Sequence, residues 1–169
     1  MAPLAFRRAK GAKDRETIRR LAGEIWPHAF AGILTEEQIR YMLGWMYSDD
    51  AIEADEHAGA RWDFALDETG VPVGFLEYDG DPGEDGALEL HKVYLARELW
   101  GAGHGQEALA RVLSHAREKG AKKVWLRVNR NNVRARKAYE RAGFAKTAED
   151  VKDIGRGFVM DDFLYAAAP

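Results

Sequence analysis

The stretch Tyr94–Leu113, YLARELWGAGHGQEALARVL, runs from an apolar segment through three alternating glycines, Gly101, Gly103 and Gly105, into a helical pattern. Glycines at a strand-to-helix junction let backbone N–H groups close on a ligand, and the helix behind them adds the positive end of its dipole. The default guest of such a turn is a phosphate. A P-loop requires Lys and then Ser or Thr after its last glycine, whereas Gln106 and Glu107 follow Gly105. A Rossmann fingerprint sets its third glycine three positions after the second and opens an α/β domain; here the spacing is two, and several elements come first. A structural turn without a ligand stays open at this point.

Outward from the turn, the chain alternates strand and helix signals. Leu4–Ala9 reads as a short first strand. Asp14–Trp26 reads as a helix with Ile18, Leu21, Ala22 and Ile25 on one face, stopped by Pro27. Thr35 and Gln38 have capping-box spacing ahead of a second helix, whose apolar stripe is Ile39, Met42, Leu43 and Met46; Met42, Trp45 and Met46, at helical spacing, suit core packing more than a pocket. SDDAIEADEHAG gives a third, acidic helical piece. Trp62, Phe64 and Leu66, then Val73, Phe75 and Tyr78, alternate on either side of a turn and predict a hairpin. ALELHKVYL forms the next strand and Gly103 to about Lys119 a long helix ended by Gly120. KKVWLRV, NVRARKAYERAG, FAKT and GFVMDDFLYA complete the order with strand, helix, strand and strand. The pattern predicts a single domain over 1–169, an α/β mixed sheet with helices packed on its faces.

A second motif follows the turn. Leu126, Val128, Asn132, Ala135, Ala138, Tyr139, Gly143 and Phe144 fall in the register L-x-V-x-x-x-N-x-x-A-x-x-A-Y-x-x-x-G-F. With VYLARELWGAGHG before it, this arrangement resembles the GCN5-related N-acetyltransferases (GNAT) and, within them, the subgroup of PaiA-type polyamine acetyltransferases. Trp100 departs from the pattern, standing where the family usually carries Gln or Arg. The resemblance implies the GNAT fold, a central mixed sheet of six to seven strands flanked by about four to five helices. It also implies acetyl transfer from acetyl-CoA to a primary amine by direct attack in a ternary complex.

The resemblance further implies a division of labour. Backbone N–H groups of Trp100, Gly101, Ala102, Gly103, His104, Gly105 and Gln106 would cradle the coenzyme A diphosphate. Val93, Tyr94 and Leu95 would pair their backbone with the pantetheine arm and donate to the thioester oxygen, where negative charge develops. Tyr139 shares a helix face with Asn132 and Ala135. It would protonate the leaving thiolate, and Asn132 would bind the pantetheine or its diphosphate. The alternative for Tyr139 is packing against the sheet. The proton on the incoming ammonium falls to Glu89, to His91 on the same strand face, or to water. Arg134, Arg136, Lys137, Lys122 and Lys123 could meet the coenzyme phosphates or form a solvated face.

The composition bounds the rest. The 169 residues carry a net charge of −3 and no cysteine, which excludes a cysteine nucleophile and a thiolate metal site and suits a reducing cytoplasm. His28, His57, His104 and His115 lack metal-ligand spacing, so no metal is expected. No run spans a bilayer, and an acidic chain is a poor nucleic-acid binder. Residues 1–87 hold 9 basic and 18 acidic side chains, a net −9, while 88–169 hold 16 and 10, a net +6. Within 36–68, ten acids face two arginines. With Trp26, Tyr41, Trp45, Tyr47 and Trp62 nearby, they suit a cationic acceptor, a polyamine or other small amine. A lysine or N-terminal peptide acceptor, or a non-catalytic acetyl-CoA sensor, are the alternatives. Family practice also points to a homodimer paired through the final strand.

Overall fold

The structure, a computed structural model, describes residues 2–169. Its elements are β1 Ala5–Arg8, α1 Gly11–Ala29, α2 Glu36–Met46, α3 Asp49–His57, β2 Ala60–Leu66, β3 Pro72–Asp79, β4 Ala87–Leu95, α4 His104–Glu118, β5 Lys123–Asn129, α5 Val133–Arg141, β6 Ala145–Gly155 and β7 Phe158–Ala167. The seven strands form one sheet in the order β1-β2-β3-β4-β5-β7-β6, antiparallel except for the β4–β5 pair. This is the expected mixed sheet, with five helices on its faces. One core lies under α1, α2 and α3, around Trp26, Tyr47 and Phe75; a second lies under α4 and α5, around Leu88, Leu109 and Val124.

Helix α1 outruns its sequence boundaries. It starts at Gly11 and continues past Pro27 to Ala29. Proline removes one hydrogen bond to the carbonyl four residues back. That carbonyl belongs to Gly23 on the exposed face, where water can satisfy it, while Ala29 beyond the proline stays buried against the core. At the start of α2 the Thr35 side chain accepts from the Gln38 N–H, but the box is half-built. The Gln38 amide instead donates to the Val159 carbonyl at 2.8 Å.

Two features of the sheet shape the site. Along β3, Leu76 pairs with Val93 and Glu77 with Lys92, yet Tyr78 pairs with Leu90, so His91 is an extra residue, a β-bulge. The bulge reverses the alternation. Leu88 and Leu90 face the α4 core, whereas Lys92 meets the Tyr47 and Trp62 rings and Tyr94 packs on Trp26 and Phe75. Beyond it, β4 and β5 part. Their pairing ends at Leu90–Leu126, although β4 runs on to Leu95 and β5 to Asn129. A wedge opens through the middle of the sheet.

The last hairpin also differs from expectation. Strand β6 runs eleven residues, well past Thr147, and joins β7 by a two-residue turn in which Arg156 and Gly157 both have positive φ, 54° and 79°. β6 is an edge strand exposed along most of its length, so no alternation marks it. β7 sits between β5 and β6; its residues 162–166 pair on both edges, whereas 158–160 pair with β6 alone. Little more than that short stretch of the final strand keeps a free edge for the expected dimer contact.

Candidate active site

The glycine turn caps α4. Gly103 is the N-cap residue at φ 86°, and Gly101 also lies in the left-handed region at φ 80°. The Gly103 carbonyl accepts from the N–H groups of Gln106 and Glu107. Gly105, already in the helix, has ordinary φ, and a Cβ there would meet no atom within 4 Å. Nothing in the protein itself demands glycine at that position, which borders the cleft. The turn therefore fits a phosphate pressed against the backbone. The side chains of His104 and Gln106 are engaged within the protein. The His104 ring is buried with Nδ1 3.2 Å from Glu107, and the Gln106 amide donates to the Ala138 carbonyl at 3.0 Å. Ala102 and His104 do not line the cleft; Trp100, Gly101, Gly103, Gly105 and Gln106 do.

At position 100 the polar side chain of the motif is replaced in an unexpected way. The Trp100 indole N–H donates to the Leu95 carbonyl at 2.9 Å, and the Arg134 guanidinium stacks 3.6 Å from its ring centroid. Arg134, at the mouth of the cleft, is held below its usual pKa by desolvation. The cation missing from the turn thus arrives from α5. Of the other basic residues considered, Lys122, Lys123, Arg136 and Lys137 do not line the cleft, and Arg136 is bonded to the Tyr165 hydroxyl and the Arg130 carbonyl.

Helix α5 presents Asn132, Ala135 and Tyr139 to the cleft. Asn132 is also the N-cap, its side-chain oxygen accepting from the Ala135 N–H at 3.3 Å, a structural duty the motif alone does not reveal. Tyr139 both packs and faces the cleft: its ring lies 5.9 Å from Phe144 and 6.5 Å from Tyr165. Burial pushes its hydroxyl up to about 12, with Arg134 pulling the other way. Tyr94, expected to act through its backbone, turns its phenol to the opposite side of β4. Burial raises its pKa further still, reinforced by Tyr139 and Asp162.

The bulge gathers the ionisable groups. Glu89 Oε2 lies 2.9 Å from His91 Nδ1, and His91 Nε2 lies 2.8 Å from Asp79 Oδ1, while the other Asp79 oxygen accepts the Glu89 N–H. Desolvation alone would lower the pKa of His91, but bonds to Asp79 and Glu89 overcome it and push the ring up to about 10. His91 is therefore an imidazolium at neutral pH and cannot accept a proton there. Beside it, Glu77 pairs with Lys92 at 3.2 Å; burial raises Glu77 to about 7 against the pull of Lys92. Sequence reasoning missed Glu77, Asp79 and Asp162, because only the bulge and the strand order bring them to the site.

Most of these residues border one cleft of about 1050 Å³ that passes through the wedge. On the α4–α5 side lie the glycine turn, Asn132 and Arg134. On the other lie Trp26, Phe30, Met42, Trp45 and Met46, with Asp55, Glu77, Glu89 and Asp162. The acceptor side departs from expectation twice. Tyr47 and Trp62 are core residues, and Tyr41 donates to the Ile154 carbonyl, so of the aromatics named from sequence only Trp26 and Trp45 line the cleft. Of the ten acids in 36–68 only Asp55 reaches it; Asp63, for one, is buried between Arg61, Arg111 and Tyr78. The Met42–Trp45–Met46 stripe, suited to core packing by its spacing, borders the cleft as well. Among the described residues no group of His, Asp and Glu is arranged to hold a metal ion, and no helix is long and apolar enough to cross a membrane.

Residues 17–144 match the family model described as the acetyltransferase (GNAT) family. The chain is 40% identical over 62 residues to an uncharacterised N-acetyltransferase of Mycobacterium bovis, a match covering 37% of this chain and 40% of that protein. It is 40% identical over 83 residues to mycothiol acetyltransferase of Cellulomonas flavigena, covering 49% of this chain and 24% of that protein. The match thus spans less than half the length of these curated relatives. Among solved structures, the PaiA N-acetyltransferase of Thermoplasma acidophilum in complex with coenzyme A aligns over 100% of both chains, with TM-score 0.82 and 23% identity, a likeness of fold.

Proposed function

Because the chain belongs to the GNAT acetyltransferase family, we propose that it moves an acetyl group from acetyl-CoA to the primary amine of a small cationic acceptor, such as a polyamine. The observation that carries this reading is the wedge between β4 and β5, with a phosphate-suited glycine turn on one side and an aromatic and acidic recess on the other. Unpaired backbone groups of residues 92–95 and 127–129 suit an extended arm bearing amides, such as pantetheine, by strand-like pairing. The backbone N–H groups of 101–106, with Arg134, would hold the diphosphate, and Asn132 the arm.

Acetyl-CoA supplies the activated acyl carbon and a thiol leaving group. The amine nitrogen bonds to the thioester carbonyl carbon, the C–S bond breaks, and the products are the amide, the free thiol and one proton per ammonium consumed. The backbone N–H of 93–95 is assigned to the oxyanion. Tyr139, kept protonated by its raised pKa, donates a hydrogen bond to the departing sulfur and delivers its proton as charge develops there. Glu89 is assigned to accept the ammonium proton, with His91 fixing its carboxylate and Asp79 standing at the solvent end of that chain. The Gln38–Val159 and Tyr41–Ile154 bonds tie α2 to the β6–β7 hairpin beside the acceptor recess, and that closure favours a small amine over a peptide.

Thiol release from acetyl-CoA, followed with a disulfide reagent, tests the reading directly, since a chain without cysteine adds no background. Against a panel of polyamines, alkylamines, amino acids and lysine peptides, turnover with a small-amine class is expected, cut roughly tenfold or more by Tyr139→Phe. Binding of acetyl-CoA with silence across the panel would favour a sensor; no binding would defeat the proposal.

A further inference from the structure

Asp162 stands on β7 opposite Asn129 of β5, at the level where β4 and β5 have already parted. Alternation along β7 turns Phe163 and Tyr165 into the core beneath α4 and α5, so Asp162 and Met160 face the α1–α2 side with the acceptor recess. The residue is only 5% exposed, yet it lines the cleft, and its carboxylate makes no hydrogen bond or ion pair among the described residues. The other cleft carboxylates near the bulge are engaged: Glu77 by Lys92, Glu89 by His91. Arg127 attracts the Asp162 carboxylate from a distance but makes no ion pair with it. Arg127 is bonded to Asp150, and Asp161 to Arg130, while Asp150 and Asp161 themselves add negative charge. Burial, the largest influence, pushes the Asp162 carboxyl up to about 6. A carboxylate taken out of water without a direct partner costs stability, and such a group in a cleft is a functional candidate.

We infer that Asp162 is the anchor for the acceptor's ammonium group, holding the attacking nitrogen on the acceptor side of the wedge; this deepens the acetyl-transfer reading and rests on it. Asp162 and Tyr139 line the same cleft, the anchor from β7 and the tyrosine assigned to the leaving sulfur from α5. An ammonium there donates a charge-assisted hydrogen bond to Asp162, and the faces of Tyr94, Phe30 and Trp26 receive its apolar body. A neutral molecule of the same shape leaves the carboxylate unpaired. The site therefore selects primary ammonium ions carried on an apolar or aromatic body. Anchoring and proton removal become separate duties, the first on β7 and the second on β4.

The test is a calorimetric titration of the coenzyme A-loaded protein with butylammonium and phenethylammonium, and with the matching neutral alcohols. Wild type should prefer each ammonium to its alcohol by roughly tenfold or more, the scale of a hydrogen bond to a charged group. Asp162→Asn, which keeps the shape and strands no partner, should abolish that preference and leave coenzyme A affinity unchanged; Glu89→Gln should keep the preference. For an amine that turns over, Asp162→Asn should raise KM about tenfold with a much smaller change in kcat, the reverse of Tyr139→Phe. A preference that survives in Asp162→Asn, or a wild type that does not discriminate, overturns the assignment. Should coenzyme A itself fail to bind, the acetyl-transfer reading falls, and the same titration on the unliganded protein still decides whether Asp162 holds a cation.

Discussion

Gly103 and Gly105 stand two positions apart and call for glycine for different reasons. Gly103 holds a left-handed conformation, so Gly103→Ala should cost about 1–2 kcal/mol of stability. Gly105 is helical and crowded by nothing, so Gly105→Ala should stabilise the free protein by up to about 1 kcal/mol. If the turn holds a diphosphate, the same substitution should weaken coenzyme A binding about tenfold, the cost of one methyl group in a tight contact. Melting curves and a coenzyme A titration separate the two effects. Asp162 carries a parallel signature. Its carboxyl rises from 3.8 to about 6 on folding, so the native state is disfavoured while the group is charged and relieved as it protonates. Asp162→Asn should therefore raise stability above pH 6, by about 3 kcal/mol at most, and lose that advantage as the pH falls from 6 towards 4. Denaturant titrations at pH 4.5 and 7.5 check the sign. At this scale the motif residues were legible. Trp100, Asn132 and Tyr139 all border the cleft, as the family resemblance implied. What spacing could not reveal was that Arg134 supplies a cation through the Trp100 ring, because that contact joins two elements 34 positions apart in the chain.

Among the elements, β4 does the most to make the site, and its bulge lay beyond sequence reasoning. Alternation predicts that residues 88 to 94 at even positions share a face; His91, one residue too many, sends Leu90 and Lys92 to opposite cores. The same residue ties Glu89 to Asp79. Its ring titrates near 10 in the fold and at an ordinary 6.5 when unfolded, so its contribution to stability is complete below pH 6.5 and is lost as the pH rises towards 10. His91→Asn should thus destabilise most at pH 6 and progressively less towards pH 9.5, as urea midpoints would show. A loss independent of pH would mean that His91 is neutral and acts only by packing. Helix ends and edges misled for related reasons. Pro27 sits where its missing hydrogen bond faces water, and β6 is exposed along an edge, so neither leaves the usual mark in the sequence.

Across the whole molecule, the charge imbalance between the two halves of the chain maps only loosely onto the cleft. Ten acids cluster in residues 36–68, yet three of the four cleft acids, Glu77, Glu89 and Asp162, come from three different strands. Strand order decides which charges meet, and sequence position does not. The order of strands and helices was legible because most of them carry their own period and punctuation. The wedge was not, since it depends on where two strands stop pairing. That wedge is the centre of the account. The most direct test is the structure of the protein with acetyl-CoA bound. The account predicts the pantetheine arm between residues 92–95 and 127–129, the diphosphate on the N–H groups of 101–106, and the sulfur within hydrogen-bonding reach of the Tyr139 hydroxyl. An arm lying outside the wedge, or a sulfur remote from Tyr139 with the glycine turn empty, would contradict it.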